Sequence, residues 1–225
     1  MKSYHEKQYA VLGLGIFGST VAKTLSAYNY EVIALDNNMK CVDRLADIVT
    51  QAAQCDITDI EQLRSAGVAD CDVAIVGMGN HLEETVLAII NLKELGVPNI
   101  IVKAKNKRYA QIFLTVGANK IVRPEKEMGV MVAKSLLSNN IIDMIDIDDE
   151  YSMVEVHAPR KWIGKSLIDL DARRKYGINV IGIRKQGESK LNVSPEAEYI
   201  IEENDHLMVI ADLKTFEKFD FMNKF

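Results

Sequence analysis

The segment Gly13-Leu14-Gly15-Ile16-Phe17-Gly18 carries the first residue types in the chain that point to chemistry. Glycines at this spacing let a strand turn sharply into a helix. Gly13 allows the tight turn, Gly15 lets the backbone approach a pyrophosphate, and Gly18 lets the helix pack close to the strand. The free N–H groups and positive dipole end of such a helix favour phosphate. Ile16 and Phe17 stand between the glycines. Asp36 closes the next apolar run, Glu31 to Leu35. A carboxylate there can accept hydrogen bonds from both ribose hydroxyls and repels a 2′-phosphate, which argues against NADP.

This fingerprint specifies what is held, not what is done to it. A dehydrogenase of this fold needs a proton donor near the nicotinamide, and no Tyr here is followed four positions later by Lys. Of the histidines, His5 is in a polar leader and His157 and His206 lie far along the chain. Only His81 follows a strand end, after Gly77-Met78-Gly79-Asn80, where it reads as a surface helix start. No catalytic residue is assigned, and the chain reads as a binding protein rather than an enzyme. Cys41, Cys55 and Cys71 form no CxxC pair. Their odd count fits neither a zinc site nor a disulfide framework, and small buried thiols suit a reducing cytoplasm.

The elements that must position these residues follow from the hydropathy pattern. Apolar runs at Tyr9–Leu14, Glu31–Leu35, Val73–Val76 and Ile100–Val102, with weaker ones at Thr50–Gln54 and Lys120–Val122, alternate with segments of helical spacing. Such alternation predicts βαβ units on a parallel sheet, a Rossmann-like α/β domain. Pro124 ends the last strand, and Glu125 to Leu137 reads as a helix. After it the pattern changes. Tyr151–His157, Asn179–Arg184 and His206–Ala211 are short strands, with turns at Gly187 and Asn192–Pro195. This predicts a small α+β lobe, with the boundary between residues 138 and 139: one domain over 1–138, the other over 139–225. A chain of 225 residues suits two domains. With 27 Lys and Arg against 32 Asp and Glu, the net charge of -5 argues against a nucleic-acid partner. The polar start, Met1 to Gln8, lacks a signal-peptide core, and no apolar run approaches the ~18 residues of a membrane span. A membrane role would come through a partner.

Many short blocks in one order resemble the RCK family, with a TrkA-N lobe followed by a TrkA-C lobe. In the first lobe they are Tyr9 to Gly15, Asp56-Ile57-Thr58-Asp59, Asp72 to Gly77, Leu92 to Pro98, Val102-Lys103-Ala104, Gly117-Ala118 and Arg123 to Gly129. In the second they are Asp171 to Asn179 and Val193-Ser194-Pro195. The chain is most similar to single-RCK cytoplasmic regulatory subunits of Ktr/Trk potassium uptake, of the KtrA and KtrC type. The resemblance implies homodimers assembling into an octameric ring beneath a membrane-embedded potassium channel subunit of the KtrB/TrkH type. It places the ring at the inner face of the membrane. It also implies control by an adenine nucleotide, ATP/ADP or NAD(H), in the first lobe, and by cyclic di-AMP between two second lobes. The alternatives are an NAD-dependent oxidoreductase, or an RCK sensor module of another cation transporter.

The same resemblance implies residue roles. Asp36, Asn37 and Asn38 hold the ribose. Asp56 and Ile57 meet the adenine. Met78, Gly79 and Asn80 line the far wall. Lys103, Ala104 and Lys105 lie at the next strand end, where the two cations neutralise phosphate, and Tyr109 borders the cleft. Glu125 binds a divalent cation, Mg²⁺ or Ca²⁺, near the terminal phosphates of nucleotides across a dimer interface, although a first-turn helix carboxylate is favoured there in any case. Ile16 departs from the Arg usual in ATP-responsive members and cannot reach for a γ-phosphate. In the second lobe Leu167, Ala172, Arg173, Ile178, Asn179, Val180 and Pro195 match the cyclic di-AMP contacts. Arg173 there can bond a phosphodiester and Asn179 an adenine edge.

Overall fold

The computed structural model describes residues 7–79, 81–136, 141–148, 150–212 and 215. They form two compact units that divide between Glu127 and Met128. The boundary read from the sequence, between 138 and 139, falls on residues outside those described.

The first unit is a six-stranded parallel sheet. Its strands are β1 (Gln8–Leu12), β2 (Glu31–Asp36), β3 (Gln51–Gln54), β4 (Val73–Val76), β5 (Asn99–Lys103) and β6 (Lys120–Val122). The spatial order is β3-β2-β1-β4-β5-β6. Between them run α1 (Ile16–Ala27), α2 (Met39–Asp43), α3 (Ile60–Ser65), α4 (Leu82–Glu94) and α5 (Lys107–Val116); α6 (Pro124–Leu136) follows β6, and the division between the units falls within it. The order reverses between β1 and β4, and a crevice opens at such a switch point, beyond the carboxyl ends of the strands.

Both faces of the sheet are covered, so the central strands carry continuous apolar runs, as in residues 10–12 and Val73–Val76. In β1, Ala10 and Leu12 join one core with Leu35, Val76, Ile89 and Phe113. Val11 points the other way, into a core with Leu14, Ala22, Val32 and Leu45. The apolar run that opens the chain continues to Leu14, but the strand stops at Leu12, because Gly13 turns left-handed with φ 87°. Short polar side chains start several helices. Asp59 accepts from the Glu61 N–H at 2.9 Å and Asn106 from the Tyr109 N–H at 2.9 Å. Pro124, expected to close the last strand, is the first residue of α6, where its missing N–H costs nothing.

The second unit is a four-stranded antiparallel sheet in the order β7-β8-β10-β9. Its strands are β7 (Ile141–Asp146), β8 (Tyr151–His157), β9 (Asn179–Arg184) and β10 (His206–Asp212). Two short helices, α7 (Leu167–Leu170) and α8 (Ala172–Tyr176), precede β9. Val154, Val156, Trp162, Leu170, Ile178, Ile183, Leu207 and Val209 form its core. Glu155 is also buried, 8% exposed, and is paired rather than isolated. Arg184 Nε lies 3.0 Å from its Oε1, and His206 Nδ1 lies 3.2 Å from the same oxygen. Among the described residues no helix is long and apolar enough to cross a membrane.

Candidate functional site

The turn after β1 is built for close approach. The Gly13 N–H donates to the Leu35 carbonyl at 2.8 Å, which ties the turn to the end of β2. A Cβ at Gly18 would collide with the Gly13 carbonyl, and one at Gly13 with the Met78 side chain. A Cβ at Gly15 would meet nothing within 4 Å, so the backbone there faces open space. Gly15 is the N-cap of α1 and offers no side-chain cap. The first N–H groups of a twelve-residue helix are thus left for an anion. Ile16 beside it is 91% exposed.

Asp36 ends β2 with both carboxylate oxygens anchored. Oδ2 accepts from the Leu14 N–H at 2.6 Å, and Oδ1 from the Asn38 N–H at 2.8 Å. A carboxylate has about four acceptor positions, so each oxygen keeps one for a ribose hydroxyl. Asn38 caps α2, and its Oδ1 accepts from the Lys40 N–H at 3.1 Å. That carbonyl thereby caps the helix, and the amide NH2 is left as a donor. Asn37 accepts from Gln54 Nε2 through its backbone carbonyl at 2.8 Å.

A cavity of about 220 Å³ lies against these groups. The structure brings Asp36, Asn37, Asp56, Ile57 and Met78 into its wall. Asp56 is fixed by its own loop. Its Oδ1 accepts from the Thr58 N–H at 2.9 Å and from Thr58 Oγ1 at 2.7 Å. Ile57 is buried, 5% exposed, and gives the cavity an apolar surface. Cys55, Thr58 and Glu84 complete the wall and were missed by the sequence reading. Burial and the adjacent Asp56 and Asp59 push the Cys55 thiol up to about 11.

The remaining expected residues do not line this cavity. Gly79 packs on the backbone of β5, since a Cβ there would come 2.8 Å from the Lys103 carbonyl. Asn80 lies outside the described residues. Lys103 Nζ sits 2.5 Å from Glu125 Oε1 and 5.9 Å from the centre of the Phe17 ring. Its hydrogen bond holds the Glu125 carboxyl below the usual carboxylate range. Ala104 is buried and Lys105 exposed. Tyr109 packs edge-on against Phe113, with ring centres 5.9 Å apart. Glu125, the expected cation ligand, is already neutralised by Lys103, and no group of three metal-binding side chains occurs among the described residues.

The second unit has its own concavity, of about 310 Å³. Leu167, Ala172, Arg173, Ile178, Asn179 and Val180 all line it. Pro195 is half-buried and is not in the wall. Ile168 and Asp171 are there instead. Asp171 adopts a left-handed φ of 45°, which makes the corner between α7 and α8. Ile178 is also a core residue, 1% exposed. The Arg173 guanidinium is exposed and meets no acidic partner among the described residues.

Two family models match the chain: the TrkA-N domain over residues 9–124 and the TrkA-C domain over residues 151–220. Ktr system potassium uptake protein A of Bacillus subtilis is 39% identical over 95% of this chain and 96% of its own length. Ktr system potassium uptake protein C of the same organism is 38% identical over 95% of this chain and 97% of its own length. The crystal structure of the GsuK RCK domain superposes with a TM-score of 0.66 at 16% identity, covering 99% of this chain. This chain spans 48% of that one, and the likeness is one of fold. The chain belongs to the RCK family of TrkA-N/TrkA-C proteins, among relatives named for Ktr potassium uptake.

Proposed function

We propose that this protein is a regulatory subunit of a potassium-uptake channel, one that binds an adenine nucleotide in its first lobe and performs no reaction on it. The observation that carries this reading is the open turn at Gly15 beside a cavity walled by Asp36, Asp56 and Ile57. A phosphate-accepting helix end, two anchored carboxylates and an apolar face suit pyrophosphate, ribose and adenine in turn. The GsuK channel, of the same fold, has been solved bound to NAD. The wall supplies little for catalysis. Its one thiol, Cys55, stays protonated near neutral pH, far from the thiolate that a nucleophile requires. An exposed Ile16 offers nothing to a γ-phosphate, so NAD(H) or ADP fits the cleft as well as ATP.

The second lobe senses a second ligand, cyclic di-AMP. Arg173 is free to bond a phosphodiester and Asn179 an adenine edge, above the apolar floor of Leu167 and Ile178. A two-fold ligand suits a dimer, and Met128, Met131 and Leu136 expose apolar surface on α6 that self-association would cover. The partner is a membrane-embedded potassium channel subunit beneath which the protein assembles as a ring, on the cytoplasmic side. The test is potassium uptake in transport-deficient cells that express a Ktr-type membrane subunit. Uptake that rises with this protein, and changes when Asp36 is replaced, supports the reading. Uptake indifferent to the protein contradicts it.

A further inference from the structure

We infer that Glu84 is a selectivity residue of the first-lobe cavity: it accepts a hydrogen bond from a hydroxyl or amine of the bound nucleoside and helps reject nucleotides that carry a second phosphate on the ribose. This rests on the nucleotide reading above and specifies the class of nucleotide. Glu84 lies in the first turn of α4 and lines the cavity with Asp36 and Asp56. The next residue, Thr85, is fully buried; its hydroxyl donates to the His81 carbonyl at 2.6 Å, with the Met78 carbonyl 3.1 Å away.

The three carboxylates of the wall are not equivalent. Asp36 is held by two backbone N–H groups, and Asp56 by the N–H and hydroxyl of Thr58. Glu84 has no such anchor among the described residues. The His81 ring nitrogen Nδ1 is 3.6 Å away, beyond hydrogen-bond distance, and the Glu84 side chain is 47% exposed. Its acceptor positions are therefore available to a ligand. No Lys, Arg or His lines the cavity to offset the three negative charges. A phosphate added at the 2′ position would enter this field, where like charges at contact distance repel even at the dielectric of a protein surface. Asp36 alone would act from one side only. Glu84 comes from the helix after β4, and Asp36 from the end of β2, so the two carboxylates reach the cavity from different elements.

The experiment titrates 5′-AMP and adenosine 2′,5′-bisphosphate into wild type, Glu84→Gln and Glu84→Lys. Wild type should bind 5′-AMP more tightly than the bisphosphate. Glu84→Gln should shrink that preference severalfold, and Glu84→Lys should shrink it by about tenfold or reverse it. Preference unchanged in both variants, while 5′-AMP still binds, overturns the role of Glu84 and leaves the nucleotide reading standing. A wild type that binds neither 5′-AMP, ADP nor NADH overturns the nucleotide reading itself and this inference with it. Both substitutions fall at a half-exposed helix position, so circular dichroism should match wild type.

Discussion

Lys103 at the end of β5 and Glu125 in the first turn of α6 form an ion pair, Nζ to Oε1, of 2.5 Å. The same ammonium lies 5.9 Å from the Phe17 ring, next to the glycine turn. A phosphate seated on that turn would compete with Glu125 for Lys103. Lys103→Met should therefore weaken ADP by about 1.5–3 kcal/mol, the scale of a hydrogen bond to a charged group, and leave adenosine nearly unchanged. Calorimetric titration of both ligands checks this. Equal losses for adenosine and ADP would remove Lys103 from phosphate binding.

The glycines of the turn separate by what surrounds them. Gly18→Ala drives a methyl into the Gly13 carbonyl, whereas Gly15→Ala adds one in open space at φ -63° and ψ -169°, a conformation open to Ala. Gly18→Ala should destabilise the fold by about 1–3 kcal/mol, as overpacking does. Gly15→Ala should fold normally and lose nucleotide affinity. Urea denaturation and nucleotide titration of each variant tell the two apart. A Gly15→Ala protein with wild-type affinity would mean that no phosphate approaches there.

The buried thiols set a limit in alkali. Cys55 and Cys71 are each raised from 9.0 to about 11, by burial first and by neighbouring aspartates second. Below pH 9 both states keep these protons. Between about 9 and 11 the unfolded chain releases them while the folded chain holds them, so stability falls as pH rises. The urea midpoint should drop between pH 8 and about 10.5, and drop less in Cys71→Ala. An equal drop in both proteins would assign the effect to other groups.

Much of this architecture was legible in the sequence. The buried central strands read as apolar runs because a sheet covered on both faces needs apolar residues everywhere, as at Ala10, Val11 and Leu12. Asp36 and the glycine turn were found because their spacing is fixed by the turn itself. Glu84, Cys55 and Thr58 were not, since a cavity wall drawn from three strand ends leaves no pattern along the chain. Pro195 matched by motif and does not line this chain's own concavity, where Ile168 and Asp171 join the expected residues. The pairing of Glu125 with Lys103 joins a strand end to a helix start and leaves no pattern along the chain.

The two lobes should titrate independently at the level of single substitutions. Arg173→Ala should abolish cyclic di-AMP binding and leave ADP binding intact, because Arg173 lines only the second-lobe cavity. Cyclic di-AMP should bind wild type with a stoichiometry near one per two chains. A ratio of one per chain, or undiminished binding by Arg173→Ala, would remove the second-lobe assignment.

The most direct measurement is a titration of wild type and Asp36→Ala with ADP and NADH. Asp36 is the carboxylate that both closes β2 and pins the glycine turn through the Leu14 N–H at 2.6 Å. Wild type should bind at least one of the two ligands in the cleft. Asp36→Ala should lose about 1–3 kcal/mol of that binding, with an unchanged response to cyclic di-AMP as evidence that the chain is folded. Binding of equal strength by the two proteins would contradict the account.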